Sequence, residues 1–319
     1  MTSKKNEFDF IKEQLNPLSY GKKEARNLID DCAFFKNVKG LTISVDSSIE
    51  GVHVPTGTSV GIQSERSVLR ALSDLAAFGA KPLCIFASIS LPKTFKYRLL
   101  KEIALGFKRV LYDYKIFLAG GDISSYEGPL NFSITVLGEK TTNISGRSGA
   151  KPGDLVVMSG NLGDAYIGRM LIEKNYYDLK KEEIKKLIKK FYKPSPRINL
   201  GMTINKFSTS TIDISDGLLS ELNHICVNSN VGAFINVEKL PLSKVLKSVM
   251  KNKKIRYLDI LTGGDDYELL YTVNPSNIGR LDSESSVIGE IVKKSGIKVI
   301  SKNSLALKFK KDEFGYKHF

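Results

Sequence analysis

The stretch TIDISDGLL, Thr211–Leu219, joins a predicted β-strand to a predicted α-helix. In a strand, successive side chains alternate, so Ile212 and Ile214 face one side while Asp213 and Ser215 face the other. The residues that follow share one apolar stripe at helical spacing, namely Leu218, Leu219, Leu222, Ile225 and Cys226. A strand that runs directly into a helix is typical of α/β and α+β domains.

The same alternation of short β-like runs with amphipathic helical runs continues along the chain. Strands are predicted at 41–46, 83–91, 115–119, 130–138, 154–158, 210–214, 233–237, 268–273 and 285–292. Helices are predicted at 8–15, 61–78, 95–112, 163–173, 178–191 and 217–228. The 319 residues, 42% of them apolar, are enough for two cores. The Gly- and Pro-rich stretch GRSGAKPGD, residues 146–154, predicts a boundary between domains 1–146 and 147–319.

Cysteine content and apolar runs restrict the class of protein. Cys32, Cys84 and Cys226 are odd in number and lack the spacing of a zinc site or a disulfide framework, which favours a reducing compartment. The longest apolar run, LCIFASISL, is far below the ~20 residues that a membrane span needs. We therefore expect a soluble cytoplasmic protein that does not bind a membrane.

The formal net charge of +14 suggests a polyanion such as nucleic acid as a partner. Lysines are dense in KNYYDLKKEEIKKLIKKFYKPSPR, where Ile184, Leu187, Ile188 and Phe191 recur at helical spacing. The lysines fall between these positions, as on the solvated face of an amphipathic helix. No stretch interleaves basic residues with aromatic ones as a single-strand binder does, so we expect no nucleic-acid partner.

Several aspartates lie at the ends of predicted elements. Alternation places Ser44 and Asp46 on one face, with Asp46 at the carboxyl end of its strand. Asp122 follows Gly120-Gly121 at the end of another strand. Asp216 is placed to cap the helix that begins at the following glycine.

Taken singly, each of these acids has an ordinary structural explanation. Asp74, close to an apolar helical stripe, has Arg70 one turn earlier as an ion-pair partner. Gathered together, such carboxylates would repel each other unless cations lay between them. Hard divalent metals such as Mg²⁺ take carboxylate oxygens, and Mg²⁺ with glycine turns is typical of phosphate chemistry. The chain has no P-loop, G-x-G-x-x-G or protein-kinase motif.

Nearly end to end, the chain resembles the thiamine-monophosphate kinase family, within the superfamily of aminoimidazole ribonucleotide synthetase and selenophosphate synthetase. The motifs that carry the resemblance are DDCA (30–33), SVDSSIEGVH (44–53), LSDLAAFGAKP (72–82), GGD (120–122), RSGAKPGD (147–154), PSPR (194–197), IDISDGL (212–218), GGDDYEL (263–269) and GYKHF (315–319). Their order and combination are more specific than any one of them.

The resemblance implies two α/β (α+β) domains: an N-terminal metal- and ATP-binding domain that dimerises, and a C-terminal mixed-sheet domain, flanked by helices, that completes the site. It implies phosphorylation of thiamine monophosphate by ATP, giving thiamine diphosphate and ADP. The implied metal ligands, for several Mg²⁺ ions, are Asp31, Ser44, Val45, Asp46, Asp74, Asp122, Asp213 and Asp216. The implied ATP contacts are Gly121, Asp122, Arg147 and Ser215. The implied substrate contacts are His53, Asp265 and Tyr316.

The roles implied for these residues agree with their chemistry. Metal ions that hold two phosphates in line supply most of the catalysis, so no covalent enzyme nucleophile is needed. Arg147 suits the charge of the transferring group. His53 is suited to a hydrogen bond with the substrate, and Tyr316 to cation–π contact with the thiazolium ring.

Three positions depart from the family pattern. Ile29 replaces a glycine before the paired aspartates, and Asp265 replaces a glutamate with a side chain one methylene longer. Val45 replaces a threonine; its side chain points away from Asp46, so the ligand implied there is the backbone carbonyl. These departures affect the expected substrate fit more than the reaction class.

Two alternatives remain at this level. Another ATP-dependent member of the superfamily, such as a purine-pathway synthetase, would share the aspartates; GYKHF and His53 favour the thiamine branch. A non-catalytic polyanion-binding protein would use the positive charge instead, and its affinity would fall steeply with salt.

Overall fold

A computed structural model describes residues 7–28, 33, 35–140, 146–173, 179–251, 255–301, 306–307 and 315. The described residues form two compact units. One lies within residues 1–75 and 80–141, and the other within 76–79 and 142–319. The mixed α/β class that was predicted is confirmed. The functional roles assigned to 1–146 and 147–319 stay predictions.

The first unit contains one four-stranded sheet. Its elements are α1 (Glu7–Phe10), β1 (Leu41–Ile49), α2 (Val60–Phe78) as far as residue 75, β2 (Lys81–Pro92), α3 (Leu100–Tyr114), β3 (Phe117–Tyr126) and β4 (Asn131–Glu139). The strand order is β1-β4-β2-β3. β2 and β3 run parallel, while β4 is antiparallel to both of its neighbours. After α1 the chain continues through a π-helical turn, Ile11–Leu15, so the helix predicted at 8–15 has wider turns than expected.

Strand β1 lies at one edge of this sheet and shows the predicted alternation. Ser44 and Asp46 are half-buried, while Ile43 and Val45 on the opposite face are exposed. β1 extends three residues beyond the predicted end at Asp46, because residues 47–49 continue the ladder with β4. Asp46 therefore lies inside the strand and not at its carboxyl end, which corrects the prediction.

Helix α3 packs one face into the core of the first unit. The inward positions of α3 recur at spacings of three and four, as expected of an amphipathic helix, and they are buried: Leu100, Ile103, Ala104, Phe107, Val110 and Leu111. Phe107 meets Phe132 of β4 edge to face, with ring centres 5.9 Å apart. α3 ends where Lys115 adopts a left-handed conformation with φ of 54°.

The second unit contains a seven-stranded mixed sheet. Its helices are α4 (Asp164–Ile172), α5 (Lys181–Tyr192), α6 (Ile198–Ile204), α7 (Leu218–Ser229), α8 (Lys244–Lys251) and α9 (Tyr257–Thr262). Its strands are β5 (Leu155–Ser159), β6 (Ser208–Asp213), β7 (Gly232–Asn236), β8 (Leu269–Val273), β9 (Ser285–Val292), β10 (Gly296–Ile300) and β11 (Ala306–Leu307). The strand order is β11-β10-β7-β9-β5-β8-β6, in which only β10 and β7 pair in parallel.

The predicted stripe of α7 is buried in the core of this unit. Leu218, Leu219, Leu222 and Ile225 are fully buried, and Cys226 is nearly so. The basic helix α5 buries Leu187 and Phe191, while its lysines at 185, 186 and 189 are exposed. The solvated face predicted for this helix is therefore confirmed.

No helix in the described part of the chain combines the length and apolar character that crossing a membrane requires. Cys84 and Cys226 are buried free thiols. Burial raises the pKa of Cys84 to about 12 and that of Cys226 to about 11. Both thiols are therefore protonated at neutral pH, as is typical of structural cysteines.

Candidate active site

In the first unit, the predicted site begins with Ser44 and Asp74. The Ser44 hydroxyl donates a hydrogen bond to the Asp74 carboxylate, which links β1 to α2. Around Asp74 the neighbouring α2 residues Ala71, Leu72 and Leu75 have no exposed surface, whereas Asp74 itself is only half-buried. A half-buried carboxylate among these buried apolar positions is placed to act as a ligand.

Asp46, on strand β1, has a cationic neighbour on helix α2. The Arg70 guanidinium lies 3.4 Å from Asp46 Oδ1 and donates a second hydrogen bond of 3.0 Å to the Ser47 carbonyl. The neighbouring Val45 side chain is 60% exposed on the opposite face, so it points away from Asp46 as predicted. The arginine fixes the position of the Asp46 carboxylate and offsets its charge.

Gly121 and Asp122 lie inside β3, which corrects the prediction that Gly120-Gly121 ends a strand and that Asp122 caps it. Gly-Gly is typical of a turn, yet here the strand continues to Tyr126. The pairing of β2 with β3 is irregular just before this point. A Cβ at Gly121 would overlap the Ala87 carbonyl, so the glycine is required by the close approach of β2.

A cavity of about 300 Å³ lies beside Gly121 and Asp122. Much of its remaining wall is apolar and includes Ile11, Leu15, Phe86, Phe107 and Leu118. Asp122 is exposed at its rim. An apolar cavity with a small number of polar groups is typical of a site for a small organic ligand.

His53 follows β1 in a turn and is held by that strand. Its Nδ1 accepts a hydrogen bond of 3.0 Å from the Ile49 backbone N–H, and its own backbone N–H donates to the Ile49 carbonyl. With Nδ1 as the acceptor, the proton of the neutral ring is on Nε2. The ring therefore presents a donor at Nε2.

In the second unit, Asp213 is buried at the end of β6, and Ser215 and Asp216 follow in the loop before α7. The N-cap of α7 is Gly217, with φ of 115° and no side-chain cap. The prediction that Asp216 caps this helix is therefore wrong. The backbone of Asp216 is itself held, because its N–H donates to Glu221 Oε1 at 3.2 Å.

Glu221 is a functional candidate that the sequence analysis missed. It is 3% exposed, and its carboxylate also accepts the Ser215 hydroxyl at 3.3 Å. Burial raises the pKa of Glu221 to about 7; the negative charge of Asp216 contributes, and the positive charge of Arg147 opposes the rise. Burial also lowers the pKa of His224, on the next turn of α7. Arg147, which is exposed, therefore acts electrostatically on Glu221, the residue that holds Ser215 and Asp216.

The loop that carries Asp265 runs along the same segment. The Asp265 N–H donates to the Ser215 carbonyl at 2.8 Å, and the Tyr267 N–H donates to the Ile214 carbonyl at 2.8 Å. Asp265 and Tyr267 both have positive φ, 75° and 50°, which is uncommon for residues other than glycine. The Asp265 carboxylate lies 4.0 Å from the Arg169 guanidinium.

Two acids of the same loop anchor it. Asp266 accepts the backbone N–H groups of Gly163 and Ala165 at the start of α4, and burial raises its pKa. Glu268 forms a bidentate ion pair with Arg197, at 2.6 and 2.7 Å. The hydrogen bonds that Arg197 donates to the Glu268 carboxylate raise the pKa of Arg197. A Cβ at Gly160, where φ is 57°, would overlap the Glu268 carboxylate.

The terminal motif GYKHF is described only at Gly315. A Cβ on this glycine would overlap the Asp216 carbonyl and would lie 2.9 Å from Ser220 Cβ. The chain therefore passes directly beside the Ser215–Asp216 loop one residue before Tyr316. Tyr316 and Asp31 lie outside the described residues, as does Ile29.

Residues 29–139 match the domain family "AIR synthase related protein, N-terminal domain". A thiamine-monophosphate kinase from Buchnera aphidicola subsp. Schizaphis graminum is 37% identical over 327 aligned positions, which cover 98% of this chain and 99% of that protein. This chain belongs to the thiamine-monophosphate kinase family. It is therefore a kinase, and the alternative of a purine-pathway synthetase does not hold.

Solved structures of this family have the same fold. The thiamine-monophosphate kinase from Stenotrophomonas maltophilia K279a has a TM-score of 0.76 and 29% identity, over 88% of this chain and 90% of that one. AaThiL complexed with AMPPCP and TMP has a TM-score of 0.78 and 31% identity, over 88% and 87%. The kinase family is thus supported by sequence and by fold.

The thiamine-monophosphate kinase motifs of this chain divide between the two units. Gly121 and the predicted metal ligands Ser44, Val45, Asp46, Asp74 and Asp122, with His53, lie in the first unit; Arg147, Asp213, Ser215, Asp216 and Asp265 lie in the second. Over the described ranges, no group of three or more His, Cys, Asp or Glu side chains forms a ready metal cluster. The donor atoms are nevertheless all oxygens, which fits Mg²⁺.

Proposed function

We propose that this chain transfers the γ-phosphoryl group of ATP to the phosphate of thiamine monophosphate, giving thiamine diphosphate and ADP. The observation that carries the proposal is the 37% identity to a thiamine-monophosphate kinase across nearly the whole of both chains. The AaThiL complex with AMPPCP, an ATP analogue, and TMP supports the two substrates. In this proposal the reaction is the last step in making thiamine diphosphate.

The metal site of this proposal requires oxygen donors. Mg²⁺, when bound, neutralises phosphate charge and holds donor and acceptor in line. The residues proposed to hold it are Asp31, Ser44, the Val45 carbonyl, Asp46, Asp74, Asp122, Asp213 and Asp216. Within the first unit, the Ser44–Asp74 hydrogen bond and the Arg70–Asp46 ion pair keep three of these side chains in place before any ligand binds.

ATP is proposed to contact Gly121, Asp122, Arg147 and Ser215. Gly121 and Asp122 both line the adjacent, largely apolar cavity. Arg147, whose charge acts on Glu221 beside Ser215, is suited to a phosphate group because a guanidinium can donate two parallel hydrogen bonds.

Thiamine monophosphate is proposed to contact His53, Asp265 and Tyr316. His53 presents Nε2–H as a donor, since its Nδ1 already accepts from Ile49. The negative charge of the Asp265 carboxylate would attract the positively charged thiazolium ring. Tyr316 adds cation–π attraction, which contributes about 0.5–2 kcal/mol depending on burial.

Direct transfer without a phosphoenzyme is expected, because phosphoryl transfer between two anionic phosphates needs positioning and charge neutralisation more than a protein nucleophile. The first measurement is formation of thiamine diphosphate and ADP in equal amounts from ATP, Mg²⁺ and thiamine monophosphate. With ATP made chiral at the γ-phosphorus, a single in-line transfer inverts the configuration. Retention of configuration at phosphorus would instead show a phosphoenzyme. Thiamine, which lacks the acceptor phosphate, serves as the control.

A homodimer joined through the first units is also proposed. Leu41, Ile43 and Val45 expose a row of apolar side chains along the edge strand β1. Contiguous exposed apolar surface is typical of an interaction site. Ile43→Lys is expected to convert a dimer into a monomer, measured as a halved mass by light scattering. Val227→Lys, at an exposed position of α7, is the control, and an unchanged dimer in Ile43→Lys would contradict the proposal.

A further inference from the structure

A partly buried ion pair joins Arg197 to Glu268, three residues after Asp265. Arg197, the residue before α6, donates from Nε to Glu268 Oε2 at 2.6 Å and from Nη2 to Oε1 at 2.7 Å. Glu268 is 3% exposed. Its Oε2 also accepts the Ser159 hydroxyl at 2.6 Å, and the Ser159 oxygen accepts the Leu269 N–H at 2.9 Å. The carboxylate is therefore fixed from several directions at the start of β8.

Backbone hydrogen bonds connect Glu268 to the segment that carries Asp265. The Glu268 carbonyl accepts the Ile214 N–H at 2.8 Å, and the Ile214 carbonyl accepts the Tyr267 N–H at 2.8 Å. One step further along, the Asp265 N–H donates to the Ser215 carbonyl. Because Asp265 and Tyr267 both have positive φ, this loop needs fixed anchors to keep its conformation.

We infer that Arg197 is a positioning residue for the substrate-binding loop: by holding Glu268, it fixes the Asp265 carboxylate where thiamine monophosphate binds. The inference rests on the proposed function, in which Asp265 contacts that substrate. It gives a role to the PSPR motif, which stands 71 residues from Glu268 in the sequence. Arg197 itself does not need to touch either substrate.

Ser215, proposed to contact ATP, and the neighbouring Asp216 have a separate anchor. Ser215 and Asp216 are held by Glu221, which accepts the Ser215 hydroxyl and the Asp216 N–H. Glu221 lies on α7, whereas Arg197 leads into α6. Weakening the Arg197–Glu268 pair should therefore displace Asp265 more than the Ser215 hydroxyl, which Glu221 holds separately, and it should act chiefly on one substrate.

Arg197→Lys keeps the positive charge but removes the bidentate geometry. We expect the KM for thiamine monophosphate to rise about tenfold, with the KM for ATP changed less than about twofold. Hydrogen exchange of the Asp265 and Tyr267 amides, measured by NMR, should become faster in the variant. Arg280→Lys is the matched control, because it makes the same substitution at an arginine of the second unit that packs on an aromatic ring. The guanidinium carbon of Arg280 lies 4.3 Å from the centre of the Phe207 ring.

A merely structural role predicts a different pattern: kcat falls with the folded fraction while both KM values stay unchanged. That pattern, or an equal rise in both KM values, would overturn the inference. If Arg197→Lys does not fold, Ser159→Ala leaves the Arg197 pair intact but removes the hydroxyl that donates to Glu268 and accepts the Leu269 N–H, and it should raise the same KM about threefold. An unchanged KM in folded Ser159→Ala then overturns the inference. Absence of turnover in the wild type would overturn the proposed function instead, and the amide exchange rates would still decide the positioning role.

Discussion

Asp46→Asn and Asp122→Asn should each lower kcat/KM for thiamine monophosphate by about a thousandfold or more, which corresponds to ~4 kcal/mol of transition-state stabilisation. Asparagine keeps the shape of aspartate and one oxygen, but it loses the charge that a divalent cation needs. The same substitution should leave the free energy of unfolding within about 0.5 kcal/mol at Asp122, because that side chain is exposed.

The measurement is steady-state formation of thiamine diphosphate over a range of Mg²⁺ concentrations, together with thermal unfolding of each variant. Asp113→Asn, an exposed acid on α3 of the same unit, is the control for a general change of charge. Wild-type turnover in both Asp46→Asn and Asp122→Asn would refute the metal site. Loss of folding in Asp46→Asn alone would mean that its ion pair with Arg70 is chiefly structural.

Gly121→Ala should be far more damaging than Gly120→Ala, although the two glycines are adjacent. A Cβ at Gly121 would overlap the Ala87 carbonyl, a backbone atom that cannot move without separating β2 from β3. A Cβ at Gly120 would meet the side-chain ring of Phe86 at 3.0 Å, and a ring is able to turn aside. Overpacking of this kind costs about 1–3 kcal/mol, and more where the backbone must move.

We expect Gly121→Ala to lower the free energy of unfolding by about 1–3 kcal/mol and to raise the KM for ATP at least tenfold. Gly120→Ala should change each quantity much less. Both variants are compared by chemical denaturation and by ATP titration. Equal effects of the two substitutions would show that the flexibility of the Gly-Gly pair is what matters, and not the close approach of the strands.

Local periodicity was enough to predict much of the fold. The apolar stripe of α7 and the alternation of β1 follow from spacings of three, four and two residues, and both are present in the structure. These patterns arise because each element buries one face. The short helices α6, α8 and α9 and the strand β10 were not predicted; α6 and α9 have only seven and six residues, too few to establish a period.

The corrected predictions share one physical cause, which is that tertiary contacts decided the local conformation. Gly120-Gly121 lies inside a strand where β2 approaches closely, and the N-cap of α7 is Gly217, at which a Cβ would overlap the Thr262 backbone. Glu221 resembled an ordinary polar position of an amphipathic helix. The pairing of Arg197 with Glu268 joins residues far apart in the sequence, and no local pattern predicts it.

Gly160 and Glu268 together place a restriction on how the family can diverge. Any side chain at 160 would overlap the carboxylate at 268, so the two positions should change together among relatives of this chain. A relative with a side chain at the position of Gly160 should carry a smaller residue in place of Glu268, and it should have lost the arginine of PSPR as well. If these three positions are substituted together among relatives, then the glycine, the glutamate and the arginine depend on one another throughout the family. The Arg197 variants test one part of that dependence in this protein.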